Sequence, residues 1–325
     1  MRAGTSVVVT LVLAVLAGCG GAGREAGPGP PAPSAPEQLG PATWEVLPGA
    51  PTARQEVAAA VVDGEVWVVG GFVDGTASAT VESFDPATEA WSAGPDLPVA
   101  VHHPMAATLG GELVVAGGFG SDGVAVDDVH VLRDGAWEAL PALPRPRGAG
   151  GAAAVGGLLV VAGGSGVDGA LVMPTDTYNG ARWATAAAIP TPRDHLAVVS
   201  VDGSVWAVGG RRLGLDRNLA TLERFDPRTA SWRAQAPMLT PRGGLGAAVV
   251  DGAIVAVGGE EPGGNNAEVE RYVPATDRWS TLPPMCTPRH GVGVVAVDDR
   301  LLVLTGGLEP GLDPSDVAEA LDLGA

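Results

Sequence analysis

Arginine recurs at one position of a pattern that repeats along this chain of 325 residues. Five arginines precede a Gly-Gly pair by 16 residues, or by 17 in the last case: Arg54, Arg147, Arg193, Arg242 and Arg289. A guanidinium group carries a planar fork of donors that matches the oxygens of a carboxylate. Arg211 and Arg212 directly follow one of these pairs, Gly209-Gly210. The pattern predicts a ring of cations that would bind an anionic small molecule, a sugar acid or an acidic peptide or protein.

Histidine gathers at the same position. Val101 replaces the arginine in the second repeat, and four of the five histidines lie within two residues of this position: His102, His103, His195 and His290. Imidazole is a common metal ligand, but ligands must converge on one ion. Positions in different repeats are expected to lie far apart, so no metal site is predicted. The histidines are assigned with the arginines to a binding surface.

Neither catalysis nor nucleic-acid binding is predicted. The sequence shows no Ser-His-Asp pattern, phosphate-binding loop or paired carboxylates, so no catalytic residue and no cofactor are expected. A net charge of −18 disfavours nucleic acid as a partner, although all 19 basic residues are arginines. The two cysteines, Cys19 and Cys286, have different expected fates, and no disulfide is predicted. These features favour a monomeric binding protein over an enzyme.

The elements that must position these residues recur every 46–49 residues. The Gly-Gly pairs are Gly70-Gly71, Gly117-Gly118, Gly163-Gly164, Gly209-Gly210, Gly258-Gly259 and Gly306-Gly307. Six tryptophans repeat in step with them: Trp44, Trp91, Trp137, Trp183, Trp232 and Trp279. Self-similarity at this period indicates a stacked or radial array.

Each repeat is predicted to contain four short strands. The first strand consists of small residues and is followed by a turn such as Asp63-Gly64, which supplies the positive φ of a two-residue hairpin. The second strand is continuously apolar and ends at Gly-Gly. The third strand carries an aromatic residue or a leucine, and the fourth strand carries the tryptophan. Asp298-Asp299 starts eight residues before its Gly-Gly pair, whereas the turn starts seven before in the other repeats, so a bulge or longer turn is expected there.

The segments Phe84-Asp85-Pro86-Ala87-Thr88-Glu89-Ala90-Trp91 and Phe225-Asp226-Pro227-Arg228-Thr229-Ala230-Ser231-Trp232 resemble the kelch repeat. The resemblance implies an all-β, six-bladed β-propeller of four-stranded antiparallel blades over residues 42–325. The chain opens on a Trp44 strand and stops after a third strand, which predicts that the N-terminal strand closes the sixth blade. The first strand of each blade would begin, and the second end, on one face, called here the mouth, which would carry the arginines and the variable loops.

The resemblance leaves two questions open. Kelch repeats often carry arginine at this position for packing, so the arginines are either structural or ligand-binding. Some six-bladed kelch proteins are epimerases or mutarotases that act on sialic acid, which makes a carbohydrate-active enzyme the alternative to a binding protein. Other kelch relatives are copper-radical oxidases with a linked Cys and Tyr, but Tyr178 and Tyr272 occupy the ordinary third-strand position.

The N-terminus resembles that of bacterial lipoproteins. Arg2 and the apolar run Val7–Leu16 are typical of a secretory signal, and Leu16-Ala17-Gly18-Cys19 is similar to a lipobox. The resemblance implies a signal peptide over residues 1–18, lipidation of Cys19 and attachment to the membrane through this anchor alone. Residues 19–41 are rich in Pro and Gly and are predicted to be a disordered tether. The predicted location is the bacterial cell envelope.

Overall fold

Residues 42–324 are described by the computed structural model, and they form 28 strands and one 3₁₀ helix. In chain order the strands are β1 Thr43–Leu47, β2 Ala58–Val62, β3 Glu65–Val69, β4 Phe72–Val73, β5 Thr76–Ala77, β6 Val81–Asp85, β7 Ala90–Ala93, β8 Met105–Leu109, β9 Glu112–Ala116, β10 Val129–Arg133, β11 Ala136–Ala139, β12 Gly148–Val155, β13 Leu158–Ser165 and β14 Pro174–Tyr178. They continue with β15 Trp183–Ala188, β16 Ala197–Val201, β17 Ser204–Val208, β18 Leu222–Asp226, β19 Ser231–Ala234, β20 Gly246–Val250, β21 Ala253–Val257, β22 Glu260–Glu261, β23 Gly264–Asn265, β24 Val269–Val273, β25 Arg278–Leu282, β26 Gly293–Val297, β27 Arg300–Gly307 and β28 Pro314–Asp322. The 3₁₀ helix is Leu215–Arg217.

These strands build six antiparallel four-stranded blades, as predicted. The blades are β2-β3-β6-β7, β8 to β11, β12 to β15, β16 to β19, β20-β21-β24-β25, and β26-β27-β28 with β1. Two ribbons, β4-β5 and β22-β23, project from the first and fifth blades. None of the helices in residues 42–324 has the length and apolar character needed to cross a membrane. The predicted signal peptide, Cys19 and the tether lie outside the described residues.

The N-terminal strand closes the ring. β1 pairs antiparallel with β28, from Thr43 opposite Asp322 to Leu47 opposite Ala318. The sixth blade therefore takes its outer strand from the start of the propeller and its other three strands from the end. This confirms the predicted closure, which leaves the edge of β28 paired.

Small residues on the inner strands allow the blades to meet at the axis. A Cβ atom on Gly151 of β12 would lie 2.4 Å from Cγ2 of Val198 in the next blade. The second strands are buried on both faces, as their continuous apolar sequences predict; Val255, Ile254 and Leu302 are fully buried examples. The core therefore lies between the faces of neighbouring blades.

The tryptophans join each blade to the one before it. Each lies opposite the third-strand residue that its spacing predicts, as Trp91 lies opposite Phe84 and Trp137 opposite Leu132. The indole Nε1 of Trp91 then donates to the carbonyl oxygen of Pro48 at 2.9 Å. Trp137, Trp183 and Trp279 donate in the same way to a backbone carbonyl 42–43 residues earlier in the chain. Trp44 of the closing strand donates to the carbonyl oxygen of Pro283 in the fifth-to-sixth blade connection.

The sixth blade accommodates its extra residue in a bulge. Asp298-Asp299 forms a two-residue turn between the paired residues Val297 and Arg300, so the turn is no longer than the others. The register instead shifts between Leu304 and Gly306, and Thr305 between them has a φ of 57°. The predicted irregularity is thus present, but it lies at the end of β27 next to the glycines.

Candidate functional site

The five repeated arginines are buried inside the blades. All five have 0% relative exposure, and each forms an ion pair with a carboxylate on the third strand of its own blade. The pairs are Arg54–Glu82, Arg147–Asp176, Arg193–Glu223, Arg242–Glu270 and Arg289–Glu319. Arg54 also donates to the carbonyl oxygens of Gly70 and Thr80, at 3.0 and 2.8 Å. Each arginine therefore links the segment that leads into the first strand of its blade with the second and third strands of that blade.

These contacts match the packing role that the sequence left open. Burial lowers the pKa of each of the five guanidinium groups, and the partner carboxylate opposes this shift. None of the five is among the lining residues of the two cavities at the propeller axis that are described below.

The second blade lacks both members of the pair. Val101 occupies the arginine position, and the strand register places His130 where the other blades have Glu or Asp, because His130 lies opposite Val115 as Glu82 lies opposite Val68. A buried carboxylate without its cation would be costly, so loss of one partner favours loss of the other. A carboxylate 28–30 residues after each arginine was the sequence signal for this partnership.

The residues two positions after the arginine form a ring around the propeller axis. They are Glu56, His103, Ala149, His195, Gly244 and Gly291, and their φ angles are all positive, from 50° to 70°. Backbone amides join neighbours in the ring: His103 N donates to Glu56 O at 2.8 Å, and His195 N to Ala149 O at 2.7 Å. Val57 N closes the ring by donating to Gly291 O at 3.4 Å. We call these six positions the axial ring.

Three side chains of the axial ring converge. Nε2 of His103 lies 3.0 Å from Oε2 of Glu56 and 3.0 Å from Nε2 of His195. His103 and His195 belong to the second and fourth blades and are 92 residues apart in sequence. The expectation that histidines of different repeats lie far apart is therefore wrong for this pair, because the ring positions lie at the axis, where the blades approach one another most closely.

A second layer of polar groups orients these side chains. Oδ2 of Asp194 lies 3.2 Å from Nδ1 of His195, and Nδ1 of His102 lies 2.6 Å from Nδ1 of His103. The His102 ring stacks on Phe72 at a centroid distance of 3.9 Å and packs in a tilted arrangement against Phe119 at 5.3 Å. Burial, followed by the neighbouring His103, lowers the pKa of His102 to about 3. Both Nε2 atoms of the ring histidines are thus directed towards the axis.

The protonation states follow from burial and from these neighbours. Burial alone would raise the pKa of Glu56, but His103, His195 and His290 together lower it well below its usual range. Burial lowers the pKa of His195 although Asp194 opposes the shift. These shifts favour the ionised form of Glu56 and the neutral form of His195.

His290 and Arg211 belong to a neighbouring network whose groups already have protein partners. His290 has 0% exposure; its Nδ1 lies 3.2 Å from Oδ1 of Asn265 and its Nε2 3.2 Å from the carbonyl oxygen of Gly311. Arg211 donates to Oε1 of Glu260 at 2.6 Å, and the Gly311 amide donates to Oε2 of the same carboxylate. Arg212 is exposed on the surface of the same loop.

Two cavities adjoin the axial ring. The one on the mouth side has a volume of about 320 Å³. It is lined on its polar side by Gln55, Glu56, His103, His195, Arg211 and Glu260, and on its apolar side by Phe72, Leu215 and Leu312. A smaller cavity of about 70 Å³ lies on the other side of the ring, and Val57, Leu196, Leu245 and Val292 contribute to its walls. Glu56, His103 and His195 line both cavities.

Comparison with known proteins agrees with this architecture. A family model described as the KLHDC2/KLHL20/DRC7 Kelch-repeats domain matches residues 105–307, and one described as the Kelch motif matches residues 53–98. Among solved structures, the one titled "Structure of YjhT" superposes with a TM-score of 0.73 at 16% identity, over 84% of this chain and 95% of that chain. At this identity the likeness concerns the fold. No curated protein matches the sequence.

Proposed function

This chain belongs to the kelch-repeat family, and we propose that it is a cell-envelope protein that binds a small hydroxylated ligand, a sugar or sugar acid, in the mouth cavity. The observation that carries the proposal is that three positions of the axial ring, all with positive φ, hold the ionisable residues Glu56, His103 and His195 beside this cavity. A left-handed conformation costs a residue other than glycine about 1–2 kcal/mol. Gly244 and Gly291 adopt it in the same ring without that cost. Ionisable residues in strained conformations around one cavity are typical of a functional site.

The cavity lining suits a sugar ring. A volume of about 320 Å³ lies at the lower end of the range of about 300–1,000 Å³ for small-molecule sites. Phe72, Leu215 and Leu312 offer an apolar wall to the CH groups of a sugar, and Gln55 and Glu260 lie among the polar groups that would meet its hydroxyls. This size favours a small molecule over an acidic peptide.

The charges around the cavity limit where an acidic group would bind. The five buried arginines are paired with carboxylates inside the blades, so they contribute no free cation to the cavity. Arg211 lines the cavity but is paired with Glu260, whereas Arg212 is exposed on the same loop. A sugar acid would therefore place its carboxylate towards this loop and its hydroxyls towards the axial ring.

Blocking the mouth cavity is expected to weaken ligand binding without harming the fold. Leu312 lines the cavity and is 60% exposed, so Leu312→Trp introduces bulk at the cavity without burying it in the core. We expect this variant to weaken binding of the best sugar in a panel of neutral sugars and sugar acids at least about tenfold, or about 1.4 kcal/mol. Isothermal titration calorimetry on the purified chain measures the affinity.

Leu239→Trp is the matched control, because Leu239 is 58% exposed and does not line the cavity. It should bind the sugar with the wild-type affinity. Equal affinities of wild type and Leu312→Trp would place the ligand elsewhere, and a panel without any binder would exclude this ligand class.

One observation favours the enzymatic alternative. A carboxylate and an imidazole 3.0 Å apart, Glu56 and His103, border a cavity of sugar size, and such a pair can transfer protons to and from a bound sugar. NMR exchange spectroscopy of a sugar that binds would reveal catalysed interconversion of its anomers. An exchange rate unaffected by the protein would leave binding as the function.

Anchoring of the protein is proposed to depend on Cys19. If its thiol carries diacylglycerol, Cys19→Ser should transfer the protein from the membrane fraction to the soluble fraction or leave the signal peptide uncut. Cys286→Ser provides the control, because Cys286 is a free, exposed cysteine of the propeller. Immunoblots of fractionated cells measure both variants. Membrane retention of Cys19→Ser with a cleaved signal would rule out lipidation.

A further inference from the structure

We infer that Glu56, His103 and His195 form a binding site for a divalent first-row transition metal on the propeller axis. This inference goes beyond sugar binding and does not require it. One carboxylate oxygen and two imidazole nitrogens, all within 4.8 Å of one another, form the donor set.

The distances between the donor atoms suit a shared ion. A ligand bound at about 2.1 Å to an octahedral metal lies about 3.0 Å from each adjacent ligand. Nε2 of His103 lies 3.0 Å from Oε2 of Glu56 and also 3.0 Å from Nε2 of His195. An imidazole nitrogen has either one hydrogen or one lone pair, so it can make a good hydrogen bond to one of these neighbours at a time. A cation between the three atoms would satisfy all of them.

A polar group lies close to the other nitrogen of each ring histidine. Metal-binding histidines commonly use the second nitrogen to contact a carboxylate or another polar group, which holds the ring in orientation. Asp194 lies 3.2 Å from Nδ1 of His195, and His102 lies 2.6 Å from Nδ1 of His103. His102 is itself held by the stacked Phe72.

The site is accessible and has room for further ligands. The side chains of His103 and His195 are each 12% exposed, and that of Glu56 is 9% exposed. The other axial ring residues are Ala149, Gly244 and Gly291, which carry no donor side chain. Three protein ligands beside open positions are typical of metals that also bind a small molecule or water. The mouth cavity would supply that molecule.

The adjacent group of Glu56, Glu260 and His290 has the composition of a metal site, but its donors are already engaged. Arg211 and the Gly311 amide occupy both oxygens of Glu260. His290 contacts Asn265 and the Gly311 carbonyl and is fully buried. These contacts assign this group to the wall of the cavity.

The donor types select the class of metal. Imidazole with carboxylate suits Zn²⁺, Fe²⁺, Co²⁺ and related ions, whereas Mg²⁺ and Ca²⁺ prefer oxygen ligands alone. Zn²⁺ and Co²⁺ are therefore suitable probes, with Mg²⁺ as the ion that should not bind.

The test uses the full chain without a polyhistidine tag. We expect calorimetric titration with Zn²⁺ to show one site per chain, and Co²⁺ to develop a visible absorption band. His103→Gly and His195→Gly should each weaken Zn²⁺ binding at least about 100-fold, since each removes one of three ligands. Glycine is the chosen replacement because Gly244 and Gly291 hold the same ring conformation. Melting curves without metal should stay within about 5 °C of wild type.

His130→Ala is the control, because the other four histidines of the sequence lie in or next to the axial ring and His130 lies on a third strand. It should bind Zn²⁺ as wild type does. The inference is overturned if neither ion binds, or if His103→Gly and His195→Gly retain wild-type affinity while folded. Leu312→Trp, which blocks the sugar, should still bind Zn²⁺, so failure of the sugar proposal and failure of the metal proposal give different results.

Discussion

Replacement of Arg193 by Val is expected to lower the free energy of unfolding by about 3–5 kcal/mol, the range for breaking one side of a buried ion pair. The change leaves Glu223, which is 2% exposed, in the interior without its cation. It also removes donors to three backbone carbonyls, those of Gly209 at 2.6 Å, Thr191 at 2.8 Å and Ala207 at 3.0 Å. Denaturation by urea, followed by tryptophan fluorescence, measures the loss.

The second blade suggests the matched control. Arg193→Val combined with Glu223→His copies the Val101 and His130 pair of that blade, so it removes the unpaired carboxylate as well as the cation. This double variant should be more stable than Arg193→Val alone. Arg228→Val, at a side chain that is 85% exposed, should change the stability by less than about 0.5 kcal/mol. A folded Arg193→Val protein within 1 kcal/mol of wild type would contradict the packing role.

Deletion of residues 41–48 is expected to be at least as damaging, because it removes β1 from the sixth blade. The deletion breaks the ladder from Thr43 to Leu47 and exposes the edge of β28. Leu47 is 5% exposed, and loss of one such leucine costs about 2–5 kcal/mol before the ladder hydrogen bonds are considered. We expect a melting temperature lower by at least 10 °C and association that increases with concentration. Calorimetry and light scattering measure the two effects.

Two neighbouring residues of β1 provide the controls. Leu47→Ala should cost about 2–5 kcal/mol, whereas Val46→Ala, at a residue that is 74% exposed, should cost less than about 0.5 kcal/mol. Trp44 is partly exposed, so Trp44→Ala should cost less than the about 3–5 kcal/mol expected for a buried tryptophan. A deletion protein that melts like wild type and stays monomeric would show that the ring does not need β1.

The blades were predictable because their information is local. The alternation of Gly-Gly pairs and tryptophans, and turns such as Asp63-Gly64 with φ angles of 51° and 82°, depend on neighbours within one repeat. Closure was predictable too, since a lone Trp44 strand at one end complements a missing strand at the other. The position of the bulge at Thr305 was not, because the extra residue could be absorbed anywhere in the hairpin. Strand pairing in the folded blade placed it beside the glycines.

The site depended on contacts between blades. The sequence places a carboxylate 28–30 residues after each arginine. That spacing alone does not decide whether Arg193 faces Glu223 or a ligand, because this depends on how the third strand is registered against the second. The common offset of Glu56, His103 and His195, two residues after the arginine position, was visible in the sequence. Their convergence was not, because it depends on the small radius of the axial ring and on positive φ angles that turn these side chains towards the axis.

The sequence by itself determined the six blades, their turns and their closure, since hydrophobic period and turn chemistry act over a few residues. Only the tertiary structure decided that the repeated arginines are buried and that Glu56, His103 and His195 meet. Burial and convergence depend on groups that are distant in the sequence, and the separation of 92 positions between His103 and His195 carries no signal of the 3.0 Å between their Nε2 atoms.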